Sequence, residues 1–388
     1  MDTNEKYSYD TMNPEPPLPL SFSLSELAGS LGDFGTIIPL ILAVALVSDV
    51  DPRYILFFFG LWFILTGLYY RLPIPLEPMK AIAVVVIAAS AAGGISPGEI
   101  AAAGLILGVI FLVLGYGRFF SIIERRVPGS VVRGIQLGLA LLLFRSSAGF
   151  ITKDPLFFGL GIAIIIGFMV LVKYRSIPDL SSICVIGAGF IGGILISGIP
   201  PVSLIPAPQL VIPAFSDIPS ATTTLVLPQL VLTIANAILA TSLLTKDLFG
   251  KDVPPKKFST TIGLMNLTSV PFGGFPMCHG AGGLAGQYRY GARTGGANIY
   301  AGFIFLILAL FFTSPQVLSI IAVGVLGALL VFVGIEMGRH SLKTDSLLVT
   351  GVIGILALIS SITLAFIIGM VIAFIAGWIK KRPVPGTG

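Results

Sequence analysis

Long apolar stretches limit this chain to a narrow choice of folds. Of its 388 residues, 55% are hydrophobic and 11% are charged, against about 25% charged residues in an ordinary soluble domain. A water-soluble fold cannot bury so much apolar side chain, because surface area falls too slowly with size. The sequence therefore predicts an all-α polytopic membrane protein.

Fourteen apolar segments are predicted to span the membrane, since a spanning helix needs about 20 residues. They are residues 24–47, 53–70, 74–92, 97–117, 130–148, 155–172, 180–198, 224–245, 258–273, 275–290, 296–313, 316–335, 346–360 and 362–379. The remaining residues suffice for loops and tails only, so no large catalytic domain and no enzyme are expected. The chain also lacks the Gly-x-x-x-x-Gly-Lys-Ser/Thr motif that holds ATP phosphates.

Cysteine and histidine are too rare for a disulfide framework or a dedicated metal cage. The chain has two of each, so no metal or other cofactor is expected. Residues 1–23 lack the basic region of a signal peptide, and the first apolar run is therefore predicted to be a retained helix.

Basic residues divide unevenly between the two sides of the predicted spans. With the N-terminus inside, Arg53, Arg145 and Lys153 fall outside, and Lys80 falls within a span. All other Lys and Arg residues fall on the inner side, as the positive-inside rule requires of the cytoplasm. Both tails, residues 1–23 and 380–388, are therefore predicted to be cytoplasmic, and loop 199–222 to be extracellular.

Spans 3 and 10 each contain a Pro-broken stretch. The stretches are Leu72–Ala81 and Pro271–Gly283, and Pro prevents continuous helix hydrogen bonding. We expect short extended chain followed by a half-helix, which begins near Met79 in span 3 and near His279 in span 10. Extended backbone is tolerated at membrane depth only where protein buries it or where it lines a cavity.

The two broken stretches are predicted to be counterparts in an inverted repeat. Pro78-Met79 and Pro276-Met277 are 198 residues apart, each in the third span of its half. Seven spans per half is an odd number, so the second copy, residues 223–379, enters the membrane opposite to the first, residues 24–198. Paired interrupted spans indicate a transporter site near the bilayer midplane.

Two half-helix N-termini predict an anion site, because each offers unpaired N–H groups and a positive dipole end. The small residues Gly280, Ala281 and Gly282 would let an oxyanion approach the backbone; tight helix packing is their alternative use. Lys80 is the one basic residue inside a span. It would complement a dianion, or else pair with Glu77 or extend to an interface.

Each of the other polar residues inside the spans has two possible roles. Asp33 would carry a coupling proton or make a structural hydrogen bond. Gln229 and Asn236 lie on one face of the eighth span, where they would contact the oxyanion or join helices. His279 would contact substrate or a proton, or serve in packing.

Several motifs resemble those of molybdate transporters in the sulfate-permease superfamily. The longest is Pro276-Met-Cys-His-Gly-Ala-Gly-Gly-Leu-Ala-Gly-Gln-Tyr-Arg-Tyr-Gly-Ala-Arg293. The shorter ones are Gly32-Asp-Phe-Gly-Thr36, Pro75-Leu-Glu-Pro-Met-Lys80, and Leu227-Pro-Gln229 with Asn236. The resemblance covers roughly residues 24–379.

This resemblance implies the uracil-permease-like fold of seven plus seven inverted repeats. A core domain, residues 24–117 and 223–313, would carry substrate against a gate domain, residues 118–198 and 314–379. The family often has Gln where this chain has Glu77, which changes the charge at the site. Typical sulfate permeases continue into a regulatory domain, whereas nine residues follow Ile379 here, which favours the molybdate branch.

Together these features predict a secondary transporter of a tetrahedral oxyanion, molybdate first, with tungstate or sulfate as alternatives and an anion channel as the rival class. Proton symport and a plasma (inner) membrane location are expected by analogy; a homodimer is left open, and no nucleic-acid partner is expected. The predicted substrate-binding residues are Thr36, Met79, Lys80, Ala81, Gln229, Asn236, His279, Gly280, Ala281 and Gly282. Proton coupling is assigned to Asp33 and Glu77.

Overall fold

The computed structural model describes residues 19–89, 94–117, 127–175, 177–198, 205–208, 210–311 and 321–380. Six predicted segments lie partly outside these ranges: the two tails, the loop 199–222 and the spans 74–92, 296–313 and 316–335. The described residues are mostly helical.

The described residues form fifteen longer helices, one 3₁₀ turn at Val270–Phe272 and two short strands. Those of the first half are α1 (Leu24–Ser30), α2 (Phe34–Val47), α3 (Pro52–Tyr70), β1 (Glu77–Pro78), α4 (Lys80–Ala89), α5 (Pro97–Tyr116), α6 (Gly129–Lys153), α7 (Pro155–Arg175) and α8 (Ser181–Ser197). Those of the second half are α9 (Asp217–Phe249), α10 (Pro255–Ser269), β2 (Met277–Cys278), α11 (Ala281–Arg289), α12 (Gly296–Phe311), α13 (Val323–Ser341), α14 (Leu347–Ile359) and α15 (Ile362–Lys380).

Seven helical segments within the described ranges are long and apolar enough to cross a membrane. They are Leu24–Val47, Pro52–Tyr70, Pro97–Tyr116, Gly129–Lys153, Pro155–Arg175, Asp217–Phe249 and Val323–Ser341. Five further apolar helices are shorter. Every predicted span contains helix in its described part, but the number of fourteen crossings stays a prediction.

The first predicted span is interrupted, although the sequence indicated broken helices only in spans 3 and 10. Helix α1 ends at Ser30 and α2 begins at Phe34. At this break the backbone lies directly against the second half of the chain, because a Cβ on Gly29 would collide with Ala292 and one on Gly32 with Gly286. The sequence has no Pro between Ser30 and Phe34, and this interruption within the span was not predicted.

Helix α9 also differs from expectation, since it begins at Asp217 within the predicted loop 199–222. It is wound more widely over Ala221–Val226 and Thr233–Ala240, where it adopts π-helical geometry. Such π segments are rare and are frequent at functional sites. Here they flank Pro228, which lacks a backbone N–H.

The helices pack through close backbone contacts at small residues. Helix α3 lies along α12, and an added Cβ on Gly60 would be 2.8 Å from the Gly302 carbonyl oxygen. Helix α5 lies along α10, and α6 packs on both α13 and α14. Small residues at crossings are typical of helix association in membranes, where van der Waals contact must replace a hydrophobic driving force.

The two Pro-broken stretches meet as an antiparallel pair of strands. Glu77 lies opposite Cys278, Pro78 lies opposite Met277, and the N–H of Met79 donates to the carbonyl of Pro276 at 2.9 Å. Each strand leads directly into a half-helix, α4 at Lys80 and α11 at Ala281. The predicted sequence of extended chain and half-helix is thus confirmed in both places.

Gly302→Ala is expected to lower the melting temperature of the purified protein. The new Cβ would lie 2.6 Å from the carbonyl oxygen of Gly60, so α3 and α12 must separate, and overpacking of this kind costs about 1–3 kcal/mol. Thermal unfolding in detergent measures the effect. The control is Gly167→Ala in α7, where no atom lies within 4 Å of the added Cβ; an equal loss in both variants would contradict the close crossing.

Candidate functional site

The N-terminus of α4 is capped by a side chain from the second half of the chain. Gln229, which is fully buried in α9, accepts from the N–H of Ala81 at 2.8 Å and that of Ile82 at 3.4 Å. Its amide nitrogen donates to Thr233 at 2.9 Å. Gln229 therefore contacts the predicted site through its cap on the first half-helix.

The N-terminus of α11 is capped by a side chain from the first half. The Oε1 atom of Glu77 accepts from the N–H of Gly283 at 2.9 Å, and its Oε2 atom lies 2.6 Å from the Nζ of Lys80. Glu77 is 1% exposed, whereas the Lys80 side chain is 23% exposed. Of the alternatives for Lys80, the structure shows the pairing with Glu77.

Asp33 is the second carboxylate beside α11. It is 2% exposed, and within the described ranges neither of its side-chain oxygens has a hydrogen-bond partner. An added Cβ on Gly283 would collide with this carboxylate, so Asp33 lies against the first turn of α11. Thr36 lies one helical turn further along, in α2, and is partly exposed.

Three N–H groups at the two half-helix N-termini remain unpaired. They belong to Lys80, Ala281 and Gly282, for which the described residues supply no acceptor. The first N–H groups of any helix lack intrahelical partners. The Nζ of Lys80 and these three N–H groups are therefore the local donors that an anion would meet.

His279 has no free ring nitrogen in this conformation. Its Nε2 is 2.7 Å from the hydroxyl of Thr261 and its Nδ1 is 3.0 Å from the carbonyl oxygen of Pro75. The ring also packs edge-on against Tyr70 and Phe258. This environment corresponds to the packing alternative for His279.

The remaining predicted site residues differ in their hydrogen bonds and in their distance from the Glu77 carboxylate. Met79 is buried and its N–H is bonded to Pro276. An added Cβ on Gly280 would collide with the Glu77 carboxylate, whereas one on Gly282 would be 3.8 Å from it. Asn236 is 3% exposed, and its Oδ1 atom has no partner among the described residues.

Two asparagines that sequence reasoning missed hold the extended stretches in place. Asn266 in α10 bonds to both the N–H and the carbonyl of Met277, at 3.0 and 2.8 Å. Asn298 in α12 donates to the carbonyl of Ile74 at 2.5 Å. A buried amide in an apolar helix was the available signal, but the sequence does not indicate which backbone it contacts.

A second charged cluster joins α6, α9 and α13. Arg133 pairs with Asp247, which lies 3.6 Å from Nδ1 of His340; Nε2 of that ring is 3.3 Å from Glu336. Glu336, one helical turn before His340 in α13, belongs to this network. A further pair, Arg289 and Asp179 at 2.9 Å, joins α11 to the segment before α8. No group of His, Cys, Asp and Glu in the described ranges could hold a metal ion.

Comparisons with known proteins all indicate one class of protein, the transporters. A family model described as "Molybdate transporter of MFS superfamily" matches residues 25–143 and 221–337. Molybdate transporter 2 of Arabidopsis thaliana is 33% identical over 371 residues, which cover 83% of this chain and 80% of that protein. Molybdate transporter 1 of the same plant is 33% identical over 375 residues, which cover 81% and 79%. These relatives are transporters and not enzymes, in agreement with the expectation from the sequence.

A solved structure shares the fold. The transmembrane domain of a cyanobacterial bicarbonate transporter, BicA, superposes with a TM-score of 0.58 over 90% of this chain and 96% of that one. The two sequences are 16% identical, so this likeness concerns the fold alone.

Gln229→Ala is expected to destabilise the protein by about 0.5–2 kcal/mol, the range for loss of a helix N-cap. The N–H groups of Ala81 and Ile82 would lose their shared acceptor in a buried place. The matched control is Thr224→Ala in the same helix, since that exposed hydroxyl bonds only to the carbonyl of Ser220. If thermal unfolding shows equal stability for both variants, Gln229 does not hold α4.

Proposed function

The chain belongs to the molybdate transporter family, as its motifs predicted, and on that basis we propose that it is an integral membrane, secondary active transporter of molybdate. The observation that carries the proposal is the pair of half-helix N-termini beside Lys80. Helix N-termini favour anions through their N–H groups and dipoles. We further propose that the oxyanion binds between α4 and α11.

Four donors would hold the oxyanion in this site. They are the Nζ of Lys80, which is paired with Glu77 in this conformation, and three N–H groups that lack acceptors among the described residues, those of Lys80, Ala281 and Gly282. Tetrahedral oxyanions offer several acceptor oxygens, so donors that converge from two helices suit them. Thr36, Gln229 and Asn236 would line the site from the neighbouring helices.

Inverted seven-span repeats are part of this proposal. Two relations support them. The capping of α4 by Gln229 from span 8 corresponds to the position of Asp33, from span 1, against the first turn of α11. The packing of α3 on α12 corresponds in the same way to that of α10 on α5. In both relations, each span of the first contact corresponds to the span seven positions away along the chain in the second contact.

Alternating access would move the proposed core domain against the gate domain. The most extensive helix contacts lie within these groups, α3 with α12 and α5 with α10 in the core, α6 with α13 in the gate. Arg133–Asp247 and Arg289–Asp179 join the two groups. Both pairs lie on the side that the basic residues predict to be cytoplasmic, where they would break when the site opens inward.

Proton symport is the proposed energy source, with Asp33 and Glu77 as the carriers. Both carboxylates are buried beside α11, and an ionisable group at such depth in a membrane is costly unless it has a function or a partner. Both termini would lie in the cytoplasm and the protein in a plasma membrane.

A ligand panel on the purified protein tests the substrate. Molybdate should raise the melting temperature more than tungstate, sulfate, phosphate or uracil, because a ligand that binds only the native state stabilises it. Uptake of labelled molybdate into proteoliposomes should saturate and be trans-stimulated. Preferential stabilisation by sulfate would make the chain a sulfate carrier, and large unitary currents would make it a channel.

Loss of Lys80 is expected to weaken molybdate binding. Lys80→Ala alone would leave the buried Glu77 carboxylate unpaired, and a buried charge without its partner costs about 3–5 kcal/mol. The informative comparison is therefore Glu77→Gln against Glu77→Gln/Lys80→Ala. Calorimetric titration should show that the double variant binds at least about tenfold more weakly, since a charge-assisted bond contributes about 1.5–3 kcal/mol. Equal affinities would exclude Lys80 as a ligand.

A further inference from the structure

The carboxylate of Glu77 occupies the surroundings that suit an anion in this site. One oxygen accepts from the N–H of Gly283 at 2.9 Å, and the other lies 2.6 Å from the Nζ of Lys80. The space for it exists because residue 280 is Gly, where a Cβ would collide with the carboxylate. An internal anion therefore already binds the second half-helix N-terminus and the lysine.

The charged groups around Glu77 disfavour the binding of a second anion beside it. The titratable groups that face it are Lys80 from α4, Asp33 from the turn before α2, and Cys278 from β2. Lys80 is the one basic residue among them. His279, on the same stretch, is engaged with Thr261 and Pro75. A dianion added next to an ionised Glu77 would meet like charge at short range in a low-dielectric site.

Asp33 is the second buried carboxylate beside the N-terminus of α11, and its surroundings differ from those of Glu77. It is 2% exposed, and neither of its oxygens has a partner among the described residues. It lies against Gly283, the residue whose N–H binds Glu77. Asp33 therefore holds none of the donors that an incoming oxyanion needs, in contrast to Glu77.

We propose that Glu77 is an internal competitor of the transported oxyanion, and that molybdate binds by displacing its carboxylate from Lys80 and Gly283. This inference rests on the proposed function. The displaced carboxylate takes up one proton and becomes a neutral carboxylic acid, while the dianion takes over the ammonium group and the N–H. One proton thus enters the protein with each molybdate, and Glu77 connects substrate affinity to pH.

The carboxylates of Glu77 and Asp33 have different roles in this mechanism. Glu77 exchanges its partners when substrate binds, because it holds the donors that the oxyanion needs. Asp33 has no donor to give up among the described residues, so its replacement by Asn should impair proton-coupled transport but leave the proton uptake of the binding step in place. Glu77→Gln should still cap Gly283 through its amide oxygen, but it can neither pair with Lys80 as an anion nor titrate.

Calorimetric titration of molybdate into the purified protein tests the inference, in buffers of different ionisation enthalpy between pH 6 and pH 8.5. The wild type should take up about one proton per molybdate, and its affinity should fall by about tenfold per pH unit in the upper part of this range. Glu77→Gln should take up no proton, show a flat affinity profile, and bind at least about tenfold more tightly than the wild type at pH 8. The control is Asp252→Asn, which changes an exposed carboxylate paired with Lys246 and should behave as the wild type.

Glu77→Asp keeps the test decisive if the Gln variant does not fold. Its shorter side chain holds Gly283 less well but still titrates, so it should bind molybdate more tightly than the wild type and retain proton uptake. Proton uptake and a pH slope in Glu77→Gln equal to those of the wild type would overturn the inference and leave the transporter proposal intact. Absence of molybdate binding by the wild type at every pH would overturn both.

Discussion

Backbone hydrogen bonding inside the membrane is the requirement around which this molecule is built. Two stretches of chain are broken by Pro, and in lipid their freed N–H and carbonyl groups have no water to bind. The structure satisfies them with one another, through the antiparallel pair of Glu77–Pro78 and Met277–Cys278. It also uses side-chain amides, Asn266 on one stretch and Asn298 on the other. Irregular backbone is stable here because protein surrounds it on all sides.

The same requirement determines the electrostatics of the site. A half-helix that begins in the middle of a membrane presents a positive dipole end where solvent cannot screen it. Gln229 caps α4 with a neutral oxygen, whereas Glu77 caps α11 with a charged one that is in turn paired with Lys80. The two half-helices are therefore alike in backbone geometry but different in charge. In the mechanism proposed above, substrate binding acts on the charged cap, since a neutral cap has no proton to exchange.

Much of the architecture was accessible from the sequence. Apolar runs placed the helices to within a few residues, and the Pro residues located both half-helices because their effect on the backbone is local. The break near Gly32 was missed, since it depends on contact with Gly286, more than 200 residues away. The early start of α9 was missed as well, because wide helical turns carry no distinctive residue pattern.

The sequence identified most residues of the candidate site, but it did not indicate the contacts between them. The sequence identified Asp33, Glu77, Lys80 and Gln229 from their polarity within apolar spans. It left open whether Lys80 faces a ligand or Glu77, and whether Gln229 binds substrate or backbone. Those choices depend on close contacts, 2.6 Å between Lys80 and Glu77 within one half and 2.8 Å between Gln229 and the Ala81 backbone of the other half, which periodicity does not encode. Asn266 and Asn298 were missed for the same reason.

The mutual capping of the half-helices has a consequence for how the protein is made. Helix α4 receives its cap from Gln229, and α11 receives its cap from Glu77, so neither half of the chain can complete its own half-helix. Pairing of β1 with β2 closes a loop of roughly 200 residues, which costs about 5 kcal/mol of chain entropy. Until residue 283 has been synthesised and inserted, the stretch around Pro75–Lys80 has no partner for its backbone. During biogenesis this segment therefore lacks its backbone partners until the second half is in place, and the proposed substrate site is among the last parts of the molecule to form.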